Sequence, residues 1–309
     1  MEIRHLLHEE IDKVQWDRTV LSVHGGSLYG LSWYLDAVSP GWQALATPDY
    51  SIIMPLAARR KFGIQYLYQP LLCQQLGILS DQVPPAETVA AFLESIPRTF
   101  RLIEITLHRS NNLLQSPAAK QHTTYRLNLS HSYDDLSGRY STNTQRNLKK
   151  ALAENLVFET GIPAGEFLDL LRQDPGEGSR ILLTLKNRKP LLRLITALLA
   201  HNSGTICGVR ASDGILLCVL LMAQHGDTHY YLAPASIEKG RETRAMFFLI
   251  DRYIHRYCGI PACIDFEGSD IPSVARFYEG FGASAEQYYS YRVNRLPWPL
   301  KKIADRRIK

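Results

Sequence analysis

Long apolar runs are scarce in this sequence of 309 residues. The longest wholly apolar run, from Ile215 to Ala223, is too short for a membrane-spanning helix, which needs about 20 such residues. The beginning of the chain carries charges at Glu2, Arg4 and Glu9, which exclude the apolar segment of a secretory signal. We therefore expect a cytoplasmic protein without a transmembrane segment.

Cysteine is also scarce, and the five cysteines form no C-x-x-C pair. An odd number of cysteines in mainly apolar surroundings is typical of reduced, buried thiols in a cytoplasmic protein. The sequence contains no H-E-x-x-H, Walker or G-x-S-x-G motif. His225 and His229 could be cross-strand neighbours, but nothing nearby supplies further ligands, so we predict no metal site.

An excess of positive charge is present only at the end of the chain. The formal net charge is +5, and residues 296–309 contribute +4 of it. The rest is almost balanced, whereas a general nucleic-acid binder spreads its basic residues over a groove or face. We therefore predict no DNA partner, and the sequence carries no signal for the oligomeric state.

The chain has the length of two ordinary domains, and 45% apolar residues are enough to give each a core. Each half follows one order: a strand, two helices, three antiparallel strands, a helix and another strand. We place the boundary so that the domains are 1–132 and 133–309. This order predicts an α/β (mixed α+β) fold of two tandem domains, each with a mixed, mostly antiparallel sheet flanked by helices.

Hydrophobic periodicity and turn residues predict the individual elements. In the first domain they predict helices over 11–23, 28–38 and 86–100, and strands over 1–7, 42–46, 51–56, 64–68, 102–107 and 124–129. In the second they predict helices within 136–156 and over 163–172 and 190–201, and strands over 157–160, 205–211 and 215–223. A Gly/Pro loop is expected at 174–179.

The stretch 225–282 holds the residues with candidate chemistry. A strand over 228–232 is broken at Pro234, and a loop over 235–241 leads into a long helix with an apolar period of about 3.6. A second strand, over 262–266, is followed by a polar corner and a last helix. Strand, helix and strand in this order form a parallel pair with a crossover, and ligands bind at the carboxyl ends of such strands.

The beginning of the long helix is a candidate anion site. It reads Lys239-Gly240-Arg241-Glu242-Thr243, so two basic side chains and a glycine lie where a helix exposes unpaired backbone N–H groups. A glycine there lets the backbone approach a phosphate closely. An ordinary turn glycine with solvated basic neighbours explains the same pattern equally well.

Two features resemble the GCN5-related N-acetyltransferase (GNAT) superfamily: the loop between a broken strand and a long helix, and the run Ala275-Arg276-Phe277-Tyr278-Glu279-Gly280-Phe281-Gly282. Two such folds in tandem, with a basic helix at their junction, are similar to FemABX-type acyl- and aminoacyltransferases. The run 265–269 and the turn at 294–297 strengthen this second resemblance. The superfamily's phosphate loop, Gln/Arg-x-x-Gly-x-Gly/Ala, shares only the central Gly240 with residues 237–242. That departure favours the FemABX-like branch.

The resemblance implies roles for individual residues. Tyr278 would be the general acid that protonates the departing group, and Glu267 the base for an acceptor amine. A donor-binding set and a substrate-binding set complete the site. The first set is Leu232, Ala233, Lys239, Gly240, Arg241 and Thr243; the second is Tyr231, Asp265 and Arg146.

Each role has a structural alternative. Tyr278 can equally be a core aromatic residue, and Glu267 an exposed residue beside a helix capped by Ser269 or Asp270. The basic helix that carries Arg146 is more commonly a solvated amphipathic helix than a surface for an anionic acceptor or RNA.

We therefore expect an acyltransferase, resembling FemABX-type GNAT proteins, that moves an acyl or aminoacyl group to an amine. No permanently bound cofactor is expected: acyl-CoA or aminoacyl-tRNA would be the co-substrate, and the amine would belong to a small molecule or a cell-wall precursor. The first domain would be a degenerate scaffold on the acceptor side. The alternative is a non-catalytic binding or scaffold protein on a degenerate GNAT fold, because the phosphate loop is eroded.

Overall fold

The computed structural model describes residues 1–23, 27–113, 116–268, 271–298 and 301. The described chain forms two compact units, one made of Met1–His122 and the residues from Gln287 onward, the other of Thr123–Glu286. The sequence places the boundary later, between 132 and 133, and assigns everything after it to the second domain. The division differs because the last strand returns to the first unit, where Ser290 pairs with Thr106.

Two features of the sequence analysis lie outside the described residues. The first is the pair Ser269 and Asp270, which were expected as helix caps. The basic residues from Lys302 onward are the other.

Fourteen strands are present in the described residues. The first unit contains β1 (Arg4–Leu6), β2 (Gln43–Ala46), β3 (Ile52–Leu56), β4 (Ala58–Lys61), β5 (Ile64–Leu67), β6 (Leu79–Ser80) and β7 (Phe100–Thr106). The chain passes into the second unit along β8 (Ala119–Asn128), which is followed there by β9 (Val157–Thr160), β10 (Gly204–Arg210), β11 (Leu216–His225), β12 (Thr228–Ser236) and β13 (Cys263–Asp265). It returns along β14 (Ser284–Asn294).

Eleven α-helices accompany these strands in the described residues. The first unit contains α1 (Lys13–Ser22), α2 (Ser32–Val38) and α3 (Ala86–Glu94). The second contains α4 (Tyr133–Gly138), α5 (Thr142–Leu152), α6 (Ala164–Gln173), α7 (Glu177–Leu182), α8 (Leu185–Ala200), α9 (Glu238–Glu242), α10 (Ala245–Tyr257) and α11 (Pro272–Glu279). None of these described helices has the length and apolar character that crossing a membrane requires.

The first unit combines two sets of strands. One is an antiparallel sheet in the order β1-β2-β3-β6, and the other has the order β4-β5-β7-β14. In the second set β5 and β7 are parallel and α3 lies between them in the chain, while the β4–β5 and β7–β14 pairs are antiparallel. The core of this unit includes Leu56, Phe92 and Ile103, which are fully buried.

The second unit has the strand order β8-β13-β12-β11-β10-β9. Its β12–β13 pair is parallel and its other pairs are antiparallel. Helix α10 packs on β10 and β11, α6 on β11 and β12, and α8 on β10. Along β11, Leu220 and Met222 belong to the core that includes α10, while Val219 and Leu221 are equally buried and face the other side. The predicted fold class, with two mixed, mostly antiparallel units, is confirmed.

Several predicted elements differ in the second unit. The basic helix expected within 136–156 is α5, and Arg139 lies outside it, directly after the separate helix α4, because Ser132 and Ser141 each begin a helix by accepting a backbone N–H. The loop expected at 174–179 contains the beginning of α7. Helix α8 begins at Leu185, so Pro190 lies inside it rather than at its start.

The first unit shows two further differences. The helix expected to reach 100 ends at Glu94, ahead of Pro97, a residue that cannot donate to a helix. The periodicity misses β4, because Arg59, Arg60 and Lys61 give it no apolar alternation.

The elements around the candidate site also differ from those predicted. Strand β12 runs to Ser236 and does not break at Pro234. Proline is tolerated at a strand edge, and β12 has no paired residue in β13 beyond Tyr230. The expected loop after it contains α9, and the long helix begins at Ala245 rather than near Thr243.

Candidate functional site

In the sheet of the second unit, the two parallel strands β12 and β13 separate where their pairing ends. β12 and β13 are paired up to Tyr230 and Asp265, and their pairing stops there. On the other side of β12, the register with β11 shifts by one residue at Leu232. A bulge of this kind bends its strand and increases the twist. β12 therefore leaves β13 at the carboxyl end of both strands, the place where ligands of such folds are expected.

A pocket of about 380 Å³ lies next to this end of β12. Four segments line it: Asp174 between α6 and α7, the last residues of β12, the region from α9 to the first turn of α10, and α11. A volume in this range is typical of small-molecule sites, which span about 300–1,000 Å³. The lining residues are Asp174, Tyr231, Pro234, Ala235, Ser236, Gly240, Arg241, Arg244, Met246, Phe247, Ser273, Val274, Phe277 and Tyr278.

Tyr278 on α11 combines core packing with access to the pocket. Its ring stacks on Phe266 with 4.7 Å between ring centroids and meets Tyr231 edge-on at 5.7 Å. Burial raises the pKa of its hydroxyl above the ordinary value, and the negative charges of Glu267 and Asp265 raise it further. Its hydroxyl makes no hydrogen bond to any residue that the structure describes. The phenol therefore stays protonated at neutral pH and can donate a proton.

The two carboxylates after β13 have different environments, and neither lines the pocket. Asp265 is 2% exposed and accepts hydrogen bonds from the Thr124 hydroxyl at 2.7 Å and the Glu267 backbone N–H at 3.0 Å. Its second oxygen lies 3.9 Å from Arg126 Nε. Asp265 therefore stabilises the turn. Glu267 is half-buried in a left-handed backbone conformation with φ 58°, which is uncommon outside functional sites and tight turns.

The segment predicted to be a phosphate-binding loop forms the short helix α9. The backbone N–H groups of Arg241 and Thr243 donate to the carbonyls of Ile237, directly before this short helix, and Lys239 within it. Lys239 Nζ lies 2.9 Å from Asp213, and Arg241 Nη2 lies 2.5 Å from Asp174. The Thr243 hydroxyl donates to the Lys239 carbonyl at 2.8 Å. Arg241 thus lines the pocket as half of an ion pair, and Lys239 and Thr243 do not line it.

Gly240 is required for packing. A Cβ atom at this position would lie 2.2 Å from the carbonyl oxygen of Leu217 and 2.7 Å from the hydroxyl of Ser236. Only a glycine lets α9 approach β11 so closely. This contact explains the glycine without an anion.

Arg244 is a pocket cation that sequence reasoning missed. It precedes α10 and has a left-handed backbone with φ 60°. Its Nη1 donates to the Arg241 carbonyl at 3.0 Å, and its buried Nε has no partner among the described residues, in which Arg244 also forms no ion pair. Its charge adds to the positive end of the α10 dipole. In the sequence, Arg244 is a basic residue directly before an apolar helical run. This signal was missed because the helix was expected to begin earlier than Ala245, which places Arg244 inside it.

The remaining predicted residues lie in three places. Tyr231 lines the pocket, and burial raises its pKa. Leu232 and Ala233 are buried at the bulge. Arg146 is exposed on α5, where it donates to the Asn143 side chain at 2.9 Å, and it is not part of the pocket lining. The structure thus brings Tyr231, Gly240, Arg241 and Tyr278 to one pocket, and the role of each predicted residue stays a prediction.

The described residues contain no group of three or more side chains suited to a metal ion. His229 is fully buried in β12, with its Nδ1 2.7 Å from the Tyr253 hydroxyl. Burial lowers the pKa of this imidazole, so it is neutral at neutral pH and belongs to the packing between β12 and α10.

The structure is similar to solved structures along nearly its whole length. The crystal structure of FemX aligns with a TM-score of 0.66 and 15% identity, over 98% of this chain and 99% of that one. The tandem GNAT protein from the clavulanic acid biosynthesis pathway aligns with a TM-score of 0.54 and 10% identity, over 96% and 99%. L-PGS from Bacillus licheniformis aligns with a TM-score of 0.54 and 12% identity, over 96% of each chain.

These identities show the fold alone, and the expected tandem GNAT, FemABX-like fold is confirmed. The sequence itself matches no protein-family profile and no curated protein.

Proposed function

We propose that this chain transfers an acyl or aminoacyl group from a phosphate-bearing carrier to an amine, with the donor bound in the pocket of the second unit. One observation carries the proposal. The pairing of β12 with β13 ends at Tyr230, and beside this end lies a pocket that contains a buried phenol and an arginine that forms no ion pair with any described residue. The similarity to structures named FemX and tandem GNAT protein supports the same class of reaction.

The carrier is held through its negative groups. Arg244 and the amino end of α10 supply positive charge at one end of the pocket. Lys239 and Arg241, expected to do this from the sequence, already face Asp213 and Asp174. Arg244 is therefore the first choice for a phosphate contact, and Arg241 joins it if Asp174 releases the guanidinium.

The transfer step needs an acid and a base. The amine nitrogen attacks the acyl carbon, and the bond between that carbon and the sulfur of coenzyme A or the ribose oxygen of tRNA breaks. Tyr278 gives its proton to the departing atom, and Glu267 takes the proton lost by the amine. The charge of Glu267 already reaches Tyr278, since it raises the pKa of the phenol. The phenolate regains its proton from solvent or from Glu267.

For the acceptor we propose only a chemical class, an amine. An amine on a small molecule or a cell-wall precursor would enter from the side of Tyr231 and the turn that Asp265 stabilises. Arg146 lies on another surface, on α5, and would act only on a large anionic acceptor or on tRNA.

Calorimetric titration tests the donor site. Acetyl-CoA, coenzyme A, aminoacylated tRNA and uncharged tRNA are titrated into the full chain, and we expect one of the two carriers to bind. Arg244→Ala should weaken that binding about tenfold to hundredfold, because it removes hydrogen bonds to a charged group. Lys239→Ala is the matched control: it removes a nearby cation outside the pocket and should leave affinity within about twofold.

A transfer assay with the bound carrier and a panel of amines separates the two candidate functions. Binding of a carrier with transfer supports the enzyme. Binding without transfer to any amine favours the alternative, a non-catalytic binding protein on this fold, which the neutralised Lys239 and Arg241 also support. Absence of binding to either carrier rejects the proposed function.

A further inference from the structure

The β4–β5 hairpin of the first unit ends in an exposed phenylalanine. Phe62 is 92% exposed, and both Phe62 and Gly63 have left-handed backbones, with φ 50° and 78°. Two such residues form the tight turn that normally carries Asn-Gly. A bulky residue in this conformation is unfavourable. Phe62 therefore adds strain to the turn, and its ring buries almost no surface in return.

Basic residues surround this hairpin. Arg59, Arg60 and Lys61 are exposed on β4, and Lys61 Nζ lies 5.5 Å from the centre of the Phe62 ring. A pocket of about 660 Å³ lies beside the turn and is lined by Arg60, Arg101 and Arg295 but by no Asp or Glu among the described residues. None of these three arginines forms an ion pair with a residue that the structure describes. The surface is therefore complementary to an anion.

We propose that this hairpin docks on an anionic phospholipid surface. Phe62 enters the boundary between headgroups and acyl chains, as aromatic side chains at membrane interfaces do. The arginines of the pocket, with Lys61 beside them, bind lipid phosphates, and basic residues near an anionic membrane strengthen the association.

The chemistry of the pocket favours lipid over RNA. Proteins that hold single-stranded nucleic acid line the groove with aromatic rings on which bases stack. This pocket offers Ile64, Leu296 and Pro297 between its arginines and no aromatic residue among the described ones. Phe62 lies instead at the tip of the hairpin, outside this lining, where it can enter a bilayer.

Vesicle sedimentation with the full chain tests the proposal. The chain should sediment with vesicles that contain phosphatidylglycerol and only weakly with vesicles of phosphatidylcholine alone, and salt should weaken the binding. Phe62→Asn should lower the partition coefficient about tenfold or more. This variant places Asn-Gly in the turn, which favours the same backbone, so it keeps the hairpin folded.

Charge variants complete the test. Arg101→Glu should lower partitioning about tenfold or more, whereas Lys186→Glu, the same charge change at an exposed position of α8, should leave it nearly unchanged. Equal binding to both vesicle types, or no effect of Phe62→Asn and Arg101→Glu, would overturn the proposal. So would a loss of binding to an RNA oligonucleotide in these variants without a loss of vesicle binding. Acyl transfer in vesicle-free solution should be the same in Phe62→Asn and the parent, so this test is independent of the proposed function.

Discussion

Tyr278 has an aromatic core on one side and a pocket on the other. Phe266 and Tyr231 fix its ring, and its hydroxyl adds little to the fold because no described residue bonds to it. Packing and chemistry at this residue can therefore be separated by removing a single oxygen atom.

Tyr278→Phe should lower the rate of acyl transfer about 100-fold to 10,000-fold, the usual contribution of a general acid. The Michaelis constant for the donor should change little, and the free energy of unfolding should stay within about 1 kcal/mol, because the ring is kept. Steady-state kinetics and urea unfolding measure both. Tyr125→Phe is the control: it alters the same aromatic cluster outside the pocket lining and should leave the rate within a few-fold. Full activity of Tyr278→Phe would remove the acid from the mechanism.

Gly240→Ala should destabilise the fold by about 1–3 kcal/mol, as overpacking in a tight interior does. The added methyl group would meet the Leu217 carbonyl at 2.2 Å. Gly178→Ala on α7 is a matched control, because its Cβ would meet nothing within 4 Å and alanine is the better helix former. Urea unfolding gives both values. A stable Gly240→Ala chain that has lost donor binding would restore the anion role that the sequence indicates.

Residue types were predictable here and their contacts were not. The sequence indicates that Gly240 is a special glycine, but the reason for the glycine is the Leu217 carbonyl on β11. Arg241 is visible as a cation, while its partner Asp174 lies on a connection that local patterns describe as a loop. Contacts between residues so distant in the chain leave no local pattern.

At the scale of elements, Asp174 joins three segments. Its carboxylate accepts from the Gly176 backbone N–H at 2.9 Å and from the Ser179 hydroxyl at 2.6 Å, both at the start of α7, and it pairs with Arg241 in α9. This carboxylate explains why a Gly/Pro-rich stretch continues into a helix.

Asp174→Ala should lower the free energy of unfolding by about 2 kcal/mol, because it leaves the donors at the start of α7 without a partner. Asp169→Ala, which removes an exposed pair with Arg172 on α6, should cost less than about 0.5 kcal/mol. Urea unfolding compares the two variants. Equal costs would mean that Asp174 acts only as another surface charge.

Several elements of the second unit were predicted almost to the residue. Strand β9 has the predicted bounds, and α6 and β10 each lie within one residue of theirs. The misses have physical causes: Pro234 suggests a break but lies in a strand without a β13 partner, and α9 is too short to show a period. For the candidate site, the sequence indicates the region and Tyr278, while the opening of the strand pair and Arg244 required the structure.

At the scale of the molecule, the second unit buries an unusual set of phenols. Burial raises the pKa values of Tyr140, Tyr231, Tyr253 and Tyr278 well above the ordinary value. Burial and the hydrogen bond to Asp251 raise the pKa of half-buried Tyr133 to about 12. In the unfolded chain these phenols ionise near pH 10.

The stability of the chain should therefore fall on the alkaline side. A raised folded-state pKa means that the unfolded chain loses these protons first, so the contribution is complete below about pH 10 and is lost as the pH rises towards the folded values. Urea unfolding between about pH 8 and pH 11 should show a falling free energy. In Tyr278→Phe the free energy of unfolding should fall less steeply with pH, because one of the buried phenols is missing. A flat profile over this range would contradict the burial of these side chains.

The end of the β12–β13 pairing has a consequence for how this fold can vary. Beyond Tyr230, the main chain of β12 turns its amide and carbonyl groups on that side away from any strand partner in the described residues. Apart from Pro234, which has no N–H, every residue along this edge offers the same peptide group, so a molecule that pairs with the edge would be recognised by geometry that side-chain replacement barely alters. The fold is shared with solved structures at 10–15% identity, so the main-chain geometry of this architecture tolerates the exchange of nearly every side chain.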